Sequence, residues 1–277
     1  MSKIVFITGA SSGIGYATAA YLLGKGFKVY AGARRVEKMK PLEEKGATIF
    51  ELDVRKQESI DQAFNTIMEN EGHIDVVFAN AGYGVQGCFE TVDIEDAKAE
   101  FETNVFGLAR TFKTVLPQMR KQKSGKLIAC SSIVGTVSVP GMPWYPASKH
   151  AVEGLCDGLR MEVKDFGIDV VKIQPGYIKT EFADIAFTYL DKAIASDPDG
   201  AYHENMENFK YNFDKALNES GADPITIAKA VYDAIESKKP KRAYRVNSDA
   251  KQTHLLHSTF GDAAIDKIMP MMFFKKH

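Results

Sequence analysis

Short apolar runs rich in β-branched residues alternate along the chain with stretches of helical spacing. The strand-like runs fall at 3–8, 27–31, 48–52, 75–79, 126–131, 169–174 and 243–246. Helical patterns fall at 13–25, 37–45, 56–70, 93–120, 146–165 and 224–237. Such alternation implies parallel strands, because parallel neighbours need a long crossover and usually take a helix. The runs are nearly continuously apolar, as strands covered on both faces should be. Right-handed crossovers then predict an α/β fold, a doubly wound parallel sheet of about seven strands with helices on both faces. No repeat, linker or low-complexity tract divides the 277 residues. The expectation is one domain over 1–277, with an excursion at about 180–221 and a C-terminal extension at about 247–277.

Composition narrows the function classes. Lys plus Arg is 35 and Asp plus Glu is 36, a formal charge of -1. So even a balance gives no bulk electrostatic case for nucleic acid or an anionic membrane. Cys88, Cys130 and Cys156 are an odd, widely spaced set, which argues against a disulfide framework and a closed zinc site. The first strand is expected almost at Met1, and its apolar run at 4–7 is too short for a signal or a membrane span. The expected location is cytoplasmic. Asn218-Glu219-Ser220 matches the glycosylation pattern by chance on this reading. His73, His150, His203, His254, His257 and His277 form no H-E-x-x-H pair. His254 and His257 stand at i and i+3 with no acidic neighbour, so they are read as a solvated face.

The first strand ends in Thr8-Gly9-Ala10-Ser11-Ser12-Gly13-Ile14-Gly15. Glycine there lets backbone approach a ligand, and the following helix N-terminus suits a pyrophosphate. The spacing is neither G-x-G-x-x-G nor a Walker loop, and alone it reads equally as a structural turn. Other stretches follow in order. Asn80-Ala81-Gly82 follows the fourth strand, and Asn104 lies on the next helix. Ser132 closes the fifth strand, Tyr145 and Lys149 form Y-x-x-x-K, and Pro175-Gly176 follows the sixth.

From residue 3 to about 180 this set resembles the classical short-chain dehydrogenase/reductase family. The resemblance implies a single-domain Rossmann-like fold and hydride transfer between an alcohol or carbonyl and a nicotinamide dinucleotide. It implies Tyr145 as general acid/base, with Lys149 on the nicotinamide ribose. It puts Ser132 on the reacting oxygen and Asn104 at a lysine-side water relay. Implied cofactor contacts are Gly9, Ser11, Ser12, Gly13, Ile14, Gly15, Asn80, Ala81, Gly82, Pro175, Gly176, Ile178 and Thr180, besides Tyr145 and Lys149. The chemistry of the residues agrees. Tyr145 and Lys149 share one helix face, and a nearby cation is expected to lower the phenol pKa. Ser131 is the rival of Ser132, since neighbours on a strand face opposite ways, and spacing to Tyr145 favours Ser132. The flanking glycines of a G-x-S-x-G elbow are missing, which disfavours a serine hydrolase.

After the second strand no acid occurs between Tyr30 and Val36, where NAD enzymes usually carry one. Arg34 stands at the tip, placed to pair with a 2′-phosphate, so NADP(H) is expected, with NAD(H) as the alternative. Ser12 puts no basic residue in the glycine loop. Asp53 and Val54 resemble the pair that flanks the adenine, with a helix-capping Asp as the competing reading.

The aromatic excursion reads as a lid, or as helices packing their own small core. Together with the C-terminal extension it makes the chain look like the 17β-hydroxysteroid, retinol and acyl-dihydroxyacetone-phosphate reductase group. That implies a bulky apolar alcohol or ketone, with Tyr83, Val85, Val134, Met142, Trp144, Tyr177 and Phe182 as candidate pocket walls. The tail at 268–274 is expected to cap the fold; a substrate entrance and a membrane contact are the alternatives. The resemblance also implies a homodimer or homotetramer paired through the helices at 93–120 and 146–165. A non-catalytic dinucleotide sensor and an oxidoreductase of small carbonyls stand as the other functions; the intact set of Asn104, Ser132, Tyr145 and Lys149 favours an enzyme.

Overall fold

The computed structural model describes residues 2–197 and 199–276. Seven strands form one sheet: β1 (Ile4–Thr8), β2 (Lys28–Ala33), β3 (Thr48–Glu51), β4 (Val76–Ala79), β5 (Gly125–Cys130), β6 (Ile168–Gln174) and β7 (Ala243–Arg245). Their order is β3-β2-β1-β4-β5-β6-β7, and every pairing is parallel. The sheet grows outward from β1 to β3, then returns to the other side of β1 with β4. That reversal opens a crevice beyond the carboxyl ends of β1 and β4.

The central strands bury both faces, whereas the edge strands β3 and β7 are only partly buried. Ile4 and Phe6 of β1 join Val77, Leu127 and Val170 on one side, while Val5 and Ile7 join Val76, Phe78 and Ile128 on the other. The first side is covered by α3 (Gln57–Glu71), α5 (Leu108–Gln122) and α6 (Trp144–Val163). The second is covered by α1 (Gly13–Leu23), α2 (Lys40–Glu43) and α9 (Pro224–Glu236). A fully buried aliphatic or Phe side chain is worth roughly 1.5–3 kcal/mol, so the two layers supply most of the driving force.

Two expected helices differ. The 37–45 segment is a 3₁₀ turn, Val36–Met39, followed by the single turn of α2, because Gly46 at positive φ ends it. The 93–120 helix is broken into α4 (Ile94–Phe101), a π-helical turn at Glu102–Gly107, and α5. The wider turn presents the Asn104 side chain to the backbone of Tyr83 instead of continuing the 3.6-residue stripe.

A buried ion cluster joins β6 to α6. Lys172 lies 2.8 Å from Glu153 and 2.6 Å from Asp157, and Gln174 donates to Glu153 at 2.9 Å. Lys172→Ala strands the buried Glu153 carboxylate without its cation. The expected cost is about 3–5 kcal/mol, read as a lower urea midpoint at unchanged m-value; a loss below about 1 kcal/mol contradicts this account.

The excursion after β6 forms α7 (Phe182–Ala195) and α8 (His203–Ser220). The C-terminal extension forms α10 (Ser248–Phe260) and α11 (Asp262–Phe273). Phe209 packs between Phe213 and Phe273, and Ile265 and Met269 of α11 join Leu190 and Met206 in a third core. The excursion therefore has its own small core, shared with the tail. Among the described residues no helix is long and apolar enough to cross a membrane, and all three cysteines are free and buried. His257 does gain the acidic neighbour the sequence did not show: at the exposed surface its Nε2 meets Asp262 at 2.8 Å, an acid brought close by the turn between α10 and α11. Met1 and His277 lie outside the described residues.

Candidate active site

The site begins where β1 stops. Gly9 turns the chain at φ +70°, a conformation that suits glycine, and its N–H donates to Gly32 O at 2.8 Å. Ser12 takes the N-cap position of α1 in extended geometry, and its side chain makes no bond across the helix start. The first-turn N–H groups thus keep their partial positive charge open to an anion. Asn80 fixes this loop from β4: its Nδ2 donates to Thr8 O at 3.2 Å and Gly9 O at 3.1 Å. Thr8 Oγ1 in turn accepts from the backbone N–H of Asn80 and of Ala81. The cradle and its donors fit a dinucleotide pyrophosphate.

A cavity of about 1040 Å³ opens over the carboxyl ends of the strands. Gly9, Ser11, Ser12, Gly13, Ile14, Arg34, Asp53, Val54, Asn80, Ala81 and Gly82 line it. Ser132, Tyr145, Lys149, Pro175, Gly176, Ile178 and Thr180 line it too. Gly15 and Asn104 do not. Gly15 lies under the loop, and Asn104 lies behind Gly82 and Tyr83.

Tyr145 and Lys149 sit one turn apart at the start of α6, with Lys149 Nζ 5.5 Å from the Tyr145 ring centre. The ammonium does not turn to the phenol; it donates to Cys130 O at 2.9 Å. The expected lowering of the phenol pKa is therefore not found. Burial raises the Tyr145 phenol well above its ordinary value, and a hydrogen bond with Ser132 pulls weakly the other way. Burial lowers Lys149. Enclosure favours the neutral form of each, so the phenol keeps its proton through the neutral range and is set to donate it. Ser132 also accepts from Val134 N at 3.3 Å, whereas the hydroxyl of Ser131 is buried without a partner among the described residues.

Asn104 holds Tyr83 at both ends, accepting from its N–H at 3.0 Å and donating to its carbonyl at 2.8 Å. It also donates to Ser148 Oγ at 3.0 Å. Its link to Lys149 is indirect. A Cβ on Gly82 would lie 2.8 Å from Asn104 Oδ1 and 3.5 Å from Lys149 Nζ, so this glycine keeps a small gap between the two. Glu100, which the sequence did not single out among the acids of α4, is fully buried beside Asn104.

At the outer rim the charge is shared more widely than expected. Arg35, not singled out from sequence, reaches Ser12 Oγ at 3.1 Å and Glu181 at 2.9 Å, and Lys38 meets Glu181 at 2.7 Å. Two adjacent arginines were visible, but which one folds back over the loop was not. Asp53 does not cap α3, which begins after Lys56. Its carboxylate is held by Arg55 at 2.6 Å, which lowers its pKa.

Of the expected pocket walls, Tyr83, Val134, Met142, Tyr177 and Phe182 line the cavity. Val85 and Trp144 do not: Val85 is buried with its N–H on Glu100, and Trp144 stacks on Phe89 at 5.3 Å. Tyr189, Phe213, Leu255, Leu256, Phe260, Ile268, Met269, Met272 and Phe273 complete the apolar wall. The tail therefore caps the third core and borders the entrance at once. Its run of apolar residues was the only signal.

A doubly wound sheet with an anion cradle at its switch point, opening into the same cavity as a half-buried phenol, defines a dinucleotide-dependent alcohol–carbonyl oxidoreductase. The comparisons agree. The profile for short chain dehydrogenase matches residues 3–188. The uncharacterized oxidoreductase YusZ of Bacillus subtilis is 35% identical over 281 residues, spanning 98% of this chain and 99% of its own. Estradiol 17-beta-dehydrogenase 1 of Rattus norvegicus is 31% identical over 262 residues, spanning 88% and 73%. A short-chain dehydrogenase from Streptomyces avermitilis superposes with a TM-score of 0.81 at 30% identity, covering 96% of each chain. The chain belongs to the short-chain dehydrogenase/reductase family, and its cofactor is a nicotinamide dinucleotide.

Proposed function

We propose that the protein is an NADP(H)-dependent oxidoreductase that interconverts an alcohol with a ketone or aldehyde on a bulky, apolar substrate of steroid, retinoid or acyl type. The observation that carries this is the continuity of the cavity, which runs from Tyr145 to a wall of Phe182, Phe213, Leu256, Met269 and Phe273. A small polar substrate would leave that apolar surface in contact with water. The similarity to a steroid dehydrogenase supports the same substrate class.

When bound, the nicotinamide supplies or accepts the hydride. The chain's own residues do the rest. The glycine loop and the α1 N-terminus bind the pyrophosphate, with Asn80 holding the loop. Ser132 orients the substrate oxygen, and Tyr145 gives it a proton in reduction or takes one in oxidation. Lys149 would hold the nicotinamide ribose, and Asn104 steadies the loop at Tyr83. The α7–α8 excursion acts as the lid that excludes water.

Arg34 and Arg35, with no acid on that turn, support NADP(H) over NAD(H). We also place the protein in the cytoplasm, where three free buried cysteines fit a reducing environment. Pairing into a homodimer or homotetramer is supported by the exposed Leu155 and Met161 on α6 and by Phe106 before α5.

The test is an absorbance assay of NADPH and NADH oxidation against steroid ketones, retinal, acyl ketones and small aldehydes. NADPH turnover with the bulky ketones is expected, and turnover confined to small aldehydes contradicts the substrate class. Arg34→Asp and Arg35→Asp should each lower the NADPH-to-NADH ratio of kcat/KM by about tenfold or more. An unchanged ratio in both variants removes the argument for NADP(H).

A further inference from the structure

Glu100 is a buried carboxylate without a cation upon it. It ends the run of acids on α4, wholly enclosed behind the cavity wall made by Gly82 and Tyr83. One oxygen accepts from Val85 N at 3.3 Å. The other lies 3.3 Å from Asn104 Nδ2 and 3.5 Å from Ser148 Oγ. The charged and titratable groups that face it are Lys149 and Tyr145 from α6 and Tyr83 from the loop after β4. Among the described residues none of them is within ion-pair distance of it.

Such a group is expensive to bury. A glutamine in its place avoids the penalty, but with one acceptor oxygen it could take the bond from Val85 or from Asn104, not both. What the carboxyl adds is a second acceptor and a proton it can lose. Ser148 makes that proton matter. Its hydroxyl donates to Tyr145 O at 2.8 Å and accepts from Asn104 at 3.0 Å. A protonated Glu100 donates toward Ser148, which leaves that pattern intact. An ionised Glu100 can only accept there, so it competes with Tyr145 O for the Ser148 proton.

We propose that Glu100 is a positioning residue of this site, which through its proton sets the polarity of the Asn104–Ser148 pair and the field at Lys149 and Tyr145, and thereby gives turnover an ionisation belonging to neither of those two. Burial pushes the Glu100 carboxyl up to about 8, within the range in which an enzyme works. The sign is fixed by the neighbours. Ionised Glu100 raises both Lys149 and Tyr145, so above that pH it opposes loss of the phenol proton and restrains alcohol oxidation. The inference rests on the catalytic reading of Tyr145.

The experiment compares the pH profile of kcat for alcohol oxidation in wild type and Glu100→Gln, between about pH 6 and pH 10. The variant keeps an acceptor for only one of Val85 N and Asn104 Nδ2 and cannot ionise, so the lost bond scales kcat by a factor independent of pH, and the change of the ratio with pH isolates the ionisation. The kcat ratio of variant to wild type is expected to rise about threefold or more across this range, with KM for alcohol and dinucleotide within about twofold. Glu100→Asp is expected to keep an inflection at a displaced pH. It carries the test if the glutamine variant does not fold. A flat ratio in Glu100→Gln overturns the proposal, as does an inflection at unchanged pH in Glu100→Asp. A wild type silent toward every alcohol overturns the catalytic reading and this inference with it. An active wild type with an indifferent Glu100→Gln overturns this inference alone.

Discussion

Tyr145→Phe is expected to lower kcat by about 10²–10⁴-fold, the usual range for removing a general acid, while dinucleotide binding changes by less than about threefold. The substitution deletes one hydroxyl. The ring keeps its contact with Phe182, at 5.2 Å between centres, and Lys149 keeps its bond to Cys130 O. The pyrophosphate cradle is built from β1, α1 and Asn80 and does not touch the phenol. The loss should therefore fall on kcat and spare affinity. Desolvation of the half-buried phenol holds its proton beyond the neutral range, so in the reductive direction it is a ready donor at physiological pH. Stopped-flow absorbance with a reactive ketone and fluorescence titration with NADPH would separate the two quantities. A variant retaining a tenth or more of wild-type turnover would sink Tyr145 as the proton donor.

Gly15→Ala should weaken dinucleotide binding by about 100-fold, about 2.7 kcal/mol. An added Cβ would stand 2.3 Å from Gly9 O and 2.9 Å from Gly9 C, both backbone atoms. It would also stand 2.6 Å from Asn80 Nδ2, which is tied to Thr8 O and Gly9 O. No flexible side-chain end is available to yield. The loop must lift off α1, and the cradle loses the geometry in which the helix N-terminus meets an anion. Overpacking of this kind also costs about 1–3 kcal/mol of stability. Calorimetric titration with NADPH measures the first effect and thermal unfolding the second. Affinity within about threefold of wild type would mean that the loop adjusts without cost, and that the close approach of Gly15 to Gly9 is not what shapes the cradle.

The central strands were legible because a strand covered on both faces is largely apolar. Lys172 is a buried charge within β6, and it pairs there with Glu153 and Asp157. The helices covering the sheet were legible for the same reason of periodicity. The π-helical turn at Glu102–Gly107 was not, because it goes with a tertiary partner, the Tyr83 backbone that Asn104 bonds.

The candidate site divides along the same line. Ser132, Tyr145 and Lys149 stand near one another as their spacing implied, since one short strand end and one helix turn fix them locally. The electrostatics of Tyr145 could not be read. It depends on what encloses the ring, and Phe182 comes from thirty-seven positions away by the numbering of the chain. Arg35 and Glu181 meet across the cofactor rim, and the apolar wall gathers from α7, α8, α10 and α11.

What the sequence determined by itself was the order of strands and helices, the glycine turn that opens the first crossover, and the residues available for chemistry. These follow from local rules: burial on two faces, backbone freedom at glycine, side chains one turn apart. What only the tertiary structure decided was which way each charged or ionisable group faces. Lys149 turns to Cys130 O, Arg35 to the glycine loop, and Glu100 inward beside Asn104 with no cation upon it. Those choices balance desolvation against partners distant in the chain, a sum that no local pattern contains.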